Sequence, residues 1–397
     1  MGVDFDDTPA EAAFRAEARA WLDAHAPAKG GPDDFSNGAT EGSLPAGEFL
    51  RRCQAWQRLL VDEGWAGITW PKAYGGRGGT AMESTIFAQE AGAYGVTVNA
   101  FAVGIGMAGP TIMRHGTDAQ KERYLRPMAS GEVIGAYGLT EPGAGSDSRG
   151  TRTRAHRDGA AWVLNGGKRF ITNAGVAGTY IVTAVTDREE QSGKISAFIV
   201  EADTPGFSIG RMEEKMGLHA SNTGELIFED CRIPLDNLLG AEGEGDKLFL
   251  KTLDGGRIGI AAMALGLAQA AYEAASAYAL ERKQFGRQIA TFQGVAFMIA
   301  DMATQIDAAR LMVYRAAWLK DCGRPFSTEA AMAKLYASEV AQRVTNDAVQ
   351  VHGGYGYITE YRVERYLRDA KLTEIGEVTS EIQRMVIARN LLGLRAM

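Results

Sequence analysis

Apolar residues recur at helical spacing, then alternate, then return to helical spacing, so the chain reads as helices, strands and helices in turn. Up to about residue 135 the pattern is helical. Thr8-Pro9-x-Glu11 is a capping box with proline at the first helical position, ahead of Phe14, Trp21 and Leu22. "GEFLRRCQAWQRLLVDEG" and "DAQKERYLRPMAS" carry further helical patterns, and "WPKAYGGRGG" between them is loop chemistry. From 136 to 242 short alternating runs take over. "TYIVTAVTD", "KISAFIVEA" and "GELIFEDCRI" predict strands, while Asp158-Gly159 and Asn165-Gly166 predict hairpin turns. Beyond 243, Val295, Ile299, Met302, Ile306, Ala309 and Val313 step by four and three residues, a seam suited to antiparallel helix packing in a bundle. The expectation is an α+β chain of three domains: residues 1–135 helical, 136–242 an antiparallel β domain, 243–397 helical again.

The 397 residues suffice for two or three domains, and a net charge of −7 offers no basic field to nucleic acid or an anionic membrane. Cys53, Cys231 and Cys322 are odd in number and far apart, which predicts neither a disulfide framework nor a zinc knuckle. His25, His115, His156, His219 and His352 lack metal-ligand spacing, so no metal is expected. The acidic N-terminus lacks the apolar core of a signal peptide, and no stretch reaches the roughly 18–20 uninterrupted apolar residues of a membrane span. A soluble, cytoplasmic protein without membrane insertion is expected.

Two short motifs lack the context their chemistry needs. "GIGMAG", Gly104 to Gly109, matches G-x-G-x-x-G, but no second strand ending in an acidic residue follows it, so close helix packing is the better reading. "GFSIG", Gly206 to Gly210, matches a nucleophile elbow, yet the polar "RMEEKMGLHASNTG" follows where a helix is required. Three glycine-rich segments carry more promise. "YGLTEPGAGSDSRG", Tyr137 to Gly150, is dense in glycine and hydroxyls, as suits close approach of backbone N–H groups to a ring or phosphate; an interdomain linker is the plainer alternative. "QVHGGYGYITEYRVERYLRD", Gln350 to Asp369, pairs glycines with polar groups at a helix end, and "ERKQFGRQIATFQG" offers Arg282 and Lys283 for phosphate. In "TEIGEVTSEIQR", Glu374, Glu377 and Glu381 lie at helical spacing, as solvated faces do. Ser380 and Gln383, however, form an S-x-x-Q capping box that predicts a helix start near Ser380 and leaves Glu377 in the loop before it.

Taken together these segments resemble the acyl-CoA dehydrogenases, and the likeness spans nearly the whole chain. "GLTEPGAGSDSRG" matches one family signature, and Gln350, Gly353, Gly354, Gly356, Tyr357, Glu360, Arg365 and Asp369 fill another. "RKQFG", "FITNAG" and "GEVTSEIQR" follow in the family's order. The resemblance implies the α–β–α layout with a C-terminal four-helix bundle, a tightly bound FAD, an acyl-CoA substrate, an electron-transferring flavoprotein as electron acceptor, and a homo-oligomer, usually a tetramer. By motif position it implies that Tyr137, Leu139, Thr140, Gly145 and Ser146 line the flavin, with Phe170, Ile171 and Thr172 packed against the ring. Many relatives have tryptophan where Phe170 stands. Arg282, Gln284, Phe285 and Gln293, with Gln350, Gly353 and Gly354, would meet the FAD pyrophosphate and adenosine across a subunit contact, and Thr379 and Glu381 would flank the helix start that completes the site. Ser146, Asp254, Arg257 and Val378 match positions near bound acyl-CoA. Glu377 occupies the usual position of the catalytic base; the alternative base position of a family subgroup is Gly256 here, which has no side chain. The implied reaction is α,β-dehydrogenation to the trans-2-enoyl-CoA, with hydride passing to flavin N5. Gly376, where many short- and medium-chain relatives have tyrosine, and Val378, where glycine is common, leave the acyl group open. An acyl-CoA oxidase or flavin monooxygenase on the same fold, or a non-catalytic flavoprotein scaffold, are the rival readings.

Overall fold

Helix α1 (Pro9–His25) starts at the capping box read from the sequence: the Glu11 N–H donates to Thr8 Oγ1 at 3.3 Å and the Thr8 N–H donates to Glu11 Oε2 at 2.8 Å. The protein is described here from a computed structural model covering residues 7–29, 31–36, 46–97, 99–187 and 194–394. The chain forms two compact units, one built of Met1–Glu214 with His219–Leu253 and the other of Lys215–Leu218 with Asp254–Met397.

In the first unit α1 is followed by α2 (Ala46–Asp62), α3 (Ala81–Ala91), α4 (Asn99–Val103), α5 (Gly109–His115) and α6 (Asp118–Ala129). Phe14, Ala18 and Leu22 form the buried stripe of α1, and Phe14 and Phe87 both pack against Trp65, with ring centroids 5.6 and 5.0 Å away. "GIGMAG" is a π-helical turn, Gly104–Ala108, joining α4 to α5, and not a phosphate loop. A Cβ on Gly109 would enter the Trp70 ring, whose Nε1 donates to the Ile105 carbonyl at 3.0 Å. Gly109→Ala is therefore expected to lower unfolding stability by about 1–3 kcal/mol through overpacking, read as a shift of the urea midpoint.

The sheet contains β1 (Gly135–Gly138), β2 (Arg154–Asp158), β3 (Ala161–Thr172), β4 (Thr179–Asp187), β5 (Lys194–Glu201), β6 (Phe207–Met212), β7 (Thr223–Pro234) and β8 (Leu238–Leu239). Its order is β6-β7-β3-β2-β4-β5-β8, with β1 beside β4. Most pairs are antiparallel, but β1 and a single residue pair of β2 lie parallel to β4. Asp158-Gly159 makes the β2–β3 turn as expected. Asn165-Gly166 does not turn the chain. It is a bulge inside β3, where the register against β7 shifts between Leu164 and Gly166 and Gly166 takes φ 137°. A Cβ there would lie 2.8 Å from the Thr153 backbone, and Asn165 binds Asp230 through its amide, accepting from the Asp230 N–H at 2.9 Å. "GFSIG" likewise opens strand β6, with Ser208 exposed on it and paired to Ile227.

The second unit is helical. It comprises the later part of α7 (Gly245–Glu281), then α8 (Gln293–Asp321), α9 (Ser327–His352), α10 (Val363–Ile375) and α11 (Ser380–Leu392). Met302, Ile306, Ala309 and Val313 are buried along the predicted α8 seam, while Val295 and Ile299 are only half-buried. By length and composition α7 is apolar enough to cross a membrane. Its apolar stripe of Ala261, Ala264, Ala268, Ala271, Ala275 and Ala279 is buried inside the fold, as in a core helix. Helix α11 begins where expected, but the Ser380–Gln383 box does not form. Thr379 is the N-cap, Ser380 Oγ donates to the Glu374 carbonyl at 3.4 Å, and buried Gln383 donates through Nε2 to the Val378 carbonyl at 3.1 Å. Gln383 is spent on the loop before the helix, not on the cap amide.

Candidate active site

That loop, between α10 and α11, holds Glu377 and Val378 at φ 46° and 81°. Left-handed backbone at non-glycine residues costs roughly 1–3 kcal/mol each and persists where its surroundings over-determine it. Here the Val378 carbonyl is gripped twice, by Gln383 and by Lys334 of α9, whose Nζ donates to it at 2.7 Å. The turn aims the Glu377 side chain inward. The residue as a whole is half-buried, but the carboxylate oxygen Oε2 is fully buried and has no hydrogen-bond partner. It rests on Gly256 of α7, where a Cβ would collide with it. Beside Gly256, Arg257 is 5% exposed and pairs with Asp254, whose Oδ1 also accepts from Ser327 Oγ at 2.9 Å.

Burial raises the Glu377 pKa to about 7, against the opposing pull of the Lys334 and Arg257 cations. A carboxyl poised near neutrality, with one oxygen buried and unpartnered, suits a general base. Its two neighbours in sequence differ. Glu374 pairs with Lys371 at 2.5 Å, and Glu381 is exposed at the first turn of α11, held below the ordinary carboxylate range by its own backbone N–H and the Thr379 hydroxyl. The structure thus brings Glu377, Val378, Asp254 and Arg257 together in one unit, with Thr379 next in the loop.

In the other unit, Tyr137 lies in β1 buried against Phe249, ring centroids 4.0 Å apart. The following loop is laced to β3: the Leu139 carbonyl accepts from Lys168 Nζ at 3.3 Å and the Thr140 carbonyl from the Arg169 N–H at 2.9 Å. Buried Glu141 anchors it, accepting from Lys168 Nζ at 2.7 Å, from the Thr151 hydroxyl, and from the N–H groups of Arg152 and Thr153 at 2.6 and 3.1 Å. Burial alone would raise the Glu141 pKa; the Lys168 ammonium and these donors outweigh it and hold the carboxyl down at about 2. The anchored loop presents Gly145 and Ser146 to solvent. Next to it β3 bulges between Lys168 and Ile171, placing Phe170 at φ 58° and 59% exposed, with Ile171 buried and Thr172 half-buried. An aromatic face held open beside a glycine- and hydroxyl-rich loop fits a flavin ring.

The remaining candidates lie in the helical unit. A cleft of about 510 Å³ is lined by Tyr278, Arg282, Gln284, Gly353, Gly354 and Tyr355 among others. The Arg282 guanidinium sits 5.3 Å from the Tyr355 ring centroid, and a Cβ at Gly353 or Gly354 would meet nothing within 4 Å. Arginine, carboxamide, aromatic rings and open glycine backbone form a donor set that fits a pyrophosphate and an adenine. Phe285, Gln293 and Gln350 do not line this cleft. All three are exposed, Phe285 by 94%. Sequence reasoning missed Lys334 and the Glu141–Lys168 pair, and gave Gln383 a capping role in place of its bond to Val378. The available signal for Lys334 was its phase: it shares the α9 face of Ala330, Ala337 and Ala341.

Three family models match the chain: the acyl-CoA dehydrogenase N-terminal domain over residues 8–132, the middle domain over 136–231 and the C-terminal domain over 243–392. The chain is 54% identical over 337 residues to the probable acyl-CoA dehydrogenase YngJ of Bacillus subtilis, covering 84% of this chain and 89% of that one. Among solved structures it is similar to butyryl-CoA dehydrogenase of Megasphaera elsdenii, with a TM-score of 0.85 and 41% identity over 98% of this chain and 100% of that one. A chain from a structure described as the electron transferring flavoprotein of Acidaminococcus fermentans matches with a TM-score of 0.83 and 44% identity, covering 99% and 100%.

Proposed function

The chain belongs to the acyl-CoA dehydrogenase family, FAD-dependent oxidoreductases acting on acyl-CoA, and from that premise we propose that Glu377 is the base that dehydrogenates a short acyl-CoA to its trans-2-enoyl-CoA. The observation that carries this reading is the buried, unpartnered Oε2 of Glu377 over Gly256, in a carboxyl whose pKa is raised to about 7.

The residues of the chain divide the work. The Glu377 carboxylate takes the α-proton of the thioester and becomes the neutral acid, a form its burial already favours. The thioester carbonyl, gaining negative charge as that proton leaves, accepts a hydrogen bond from the Glu377 backbone N–H. Bound FAD supplies the acceptor, at N5, for the β-hydrogen and its electron pair. Tyr137, Leu139, Thr140, Gly145, Ser146 and Phe170 to Thr172 would hold the flavin. Arg282, Gln284, Phe285, Gln293, Gln350, Gly353 and Gly354 would hold the pyrophosphate and adenosine of a second copy's FAD, with Thr379 and Glu381 beside the helix start. The 94% exposure of Phe285 supports a contact between copies, hence a homo-oligomer, and the family resemblance implies four subunits. Ser146, Asp254, Arg257 and Val378 would border the acyl-CoA.

The likeness to butyryl-CoA dehydrogenase supports a short, fatty acyl group, and the likeness to the Acidaminococcus structure supports an electron-transferring flavoprotein as acceptor. The bacterial relatives support a cytoplasmic enzyme, and the limits of the family matches support domains of 1–135, 136–242 and 243–397. Anaerobic titration of the purified holoprotein with acyl-CoAs of increasing length tests the reading. Butyryl-CoA is expected to bleach the oxidised flavin band near stoichiometrically, and bleaching by no thioester would sink the proposal.

A further inference from the structure

Lys334 is a lysine with no exposed surface on the small-residue face of α9, among Ala330, Ala331, Ala337 and Ser338. A buried ammonium is costly unless something compensates it, and an apolar residue of similar volume would fit the same helix face more cheaply. Its hydrogen bond goes to the Val378 carbonyl, which already accepts from the neutral amide of Gln383. The carbonyl therefore does not need the lysine to be satisfied. What Lys334 adds is a positive charge under the loop that carries the base. The charged groups acting on it are the carboxylates of Glu377, Glu374 and Glu381 and the guanidinium of Arg257, with Glu377 the largest of these; burial lowers its pKa to about 8. At neutral pH the ammonium form predominates.

Building on the reading of Glu377 as base, we propose that Lys334 is a positioning residue for the dehydrogenation: its ammonium clamps the strained Glu377–Val378 turn and stabilises the carboxylate form of Glu377 over Gly256. Without it, desolvation of Glu377 is opposed by Arg257 alone, and that cation is already engaged by Asp254. The proton then leaves Glu377 at higher pH, and the rising limb of kcat/KM moves with it.

The test uses flavin-loaded enzyme and two readouts. One is the pH profile of kcat/KM with butyryl-CoA. The other is the infrared carboxyl stretch of resting enzyme, assigned to Glu377 by its absence in Glu377→Gln. Lys334→Met is expected to move both midpoints up by about one pH unit, a roughly tenfold loss of kcat/KM below the limb. Lys334→Arg, which keeps the charge, is expected to bring the midpoints back toward wild type. Gln383→Leu removes the neutral clamp only and is expected to leave both midpoints in place. If Lys334→Met does not fold, Lys334→Gln makes the same comparison. Unmoved midpoints in a folded, flavin-loaded variant without the charge would overturn the proposal, as would an equal shift in Gln383→Leu. Wild-type activity in Glu377→Gln would instead overturn the base reading and leave Lys334 without its role.

Discussion

Glu377→Gln is expected to lower kcat for butyryl-CoA by at least the roughly 10²–10⁴-fold that a positioned general base contributes, with flavin content unchanged. The amide has nearly the size of the carboxyl, so the seat over Gly256 remains filled, but it accepts no proton at neutral pH. The same substitution should raise stability. A carboxyl at about 7 in the folded chain, against an ordinary value of 4.5, keeps its proton in the native state where the unfolded chain has released it. Stability therefore falls as pH rises through that interval, and the loss persists above it. Glu377→Gln escapes the loss, so its melting temperature should exceed that of wild type at pH 8 and approach it near pH 4. A catalytic group whose removal stabilises the protein would mark strain retained for chemistry; equal melting curves at both pH values would contradict the burial argument.

Gly256→Ala is expected to separate stability from activity in the opposite manner to an ordinary core substitution. Gly256 lies within α7, where alanine favours a helix by about 1 kcal/mol over glycine. Its new Cβ, however, would occupy the place of Glu377 Oε2, and the carboxylate must swing away. A displacement of about 1 Å at a reacting group costs on the order of 10²-fold in rate. The variant should bind flavin, melt no lower than wild type and lose activity by that factor. Steady-state kinetics beside a thermal melt checks it, and wild-type kcat would show that the carboxylate does not work from the seat described here.

Periodicity made the order of helices, strands and helices legible, because a 3.6-residue or two-residue repeat is written in consecutive positions. The Thr8–Glu11 cap was equally local and formed as read. Local chemistry failed where a distant partner competed for it. Asn165-Gly166 has the composition of a turn, but the Asp230 contact and the close approach of Thr153 turn it into a bulge. Gln383 has the spacing of a capping residue, yet the Val378 carbonyl takes its amide. The loop position of Glu377 followed from the sequence, whereas its seat did not: that Gly256 lies under the carboxylate depends on α7 meeting a loop more than a hundred residues later. Lys334 was written in the sequence at a buried phase, but a lone lysine on an amphipathic face ordinarily snorkels to water, and only the packed structure shows it turned to Val378.

The most direct measurement is anaerobic stopped-flow reduction of the flavin by butyryl-CoA carrying deuterium at the α-carbon, from pH 5.5 to 9, in wild type and Glu377→Gln. The account predicts a wild-type rate that climbs through about pH 7 with a primary isotope effect, and no comparable phase in the variant. A Glu377→Gln enzyme that reduces its flavin at the wild-type rate, with the same isotope effect, would show that another group takes the α-proton.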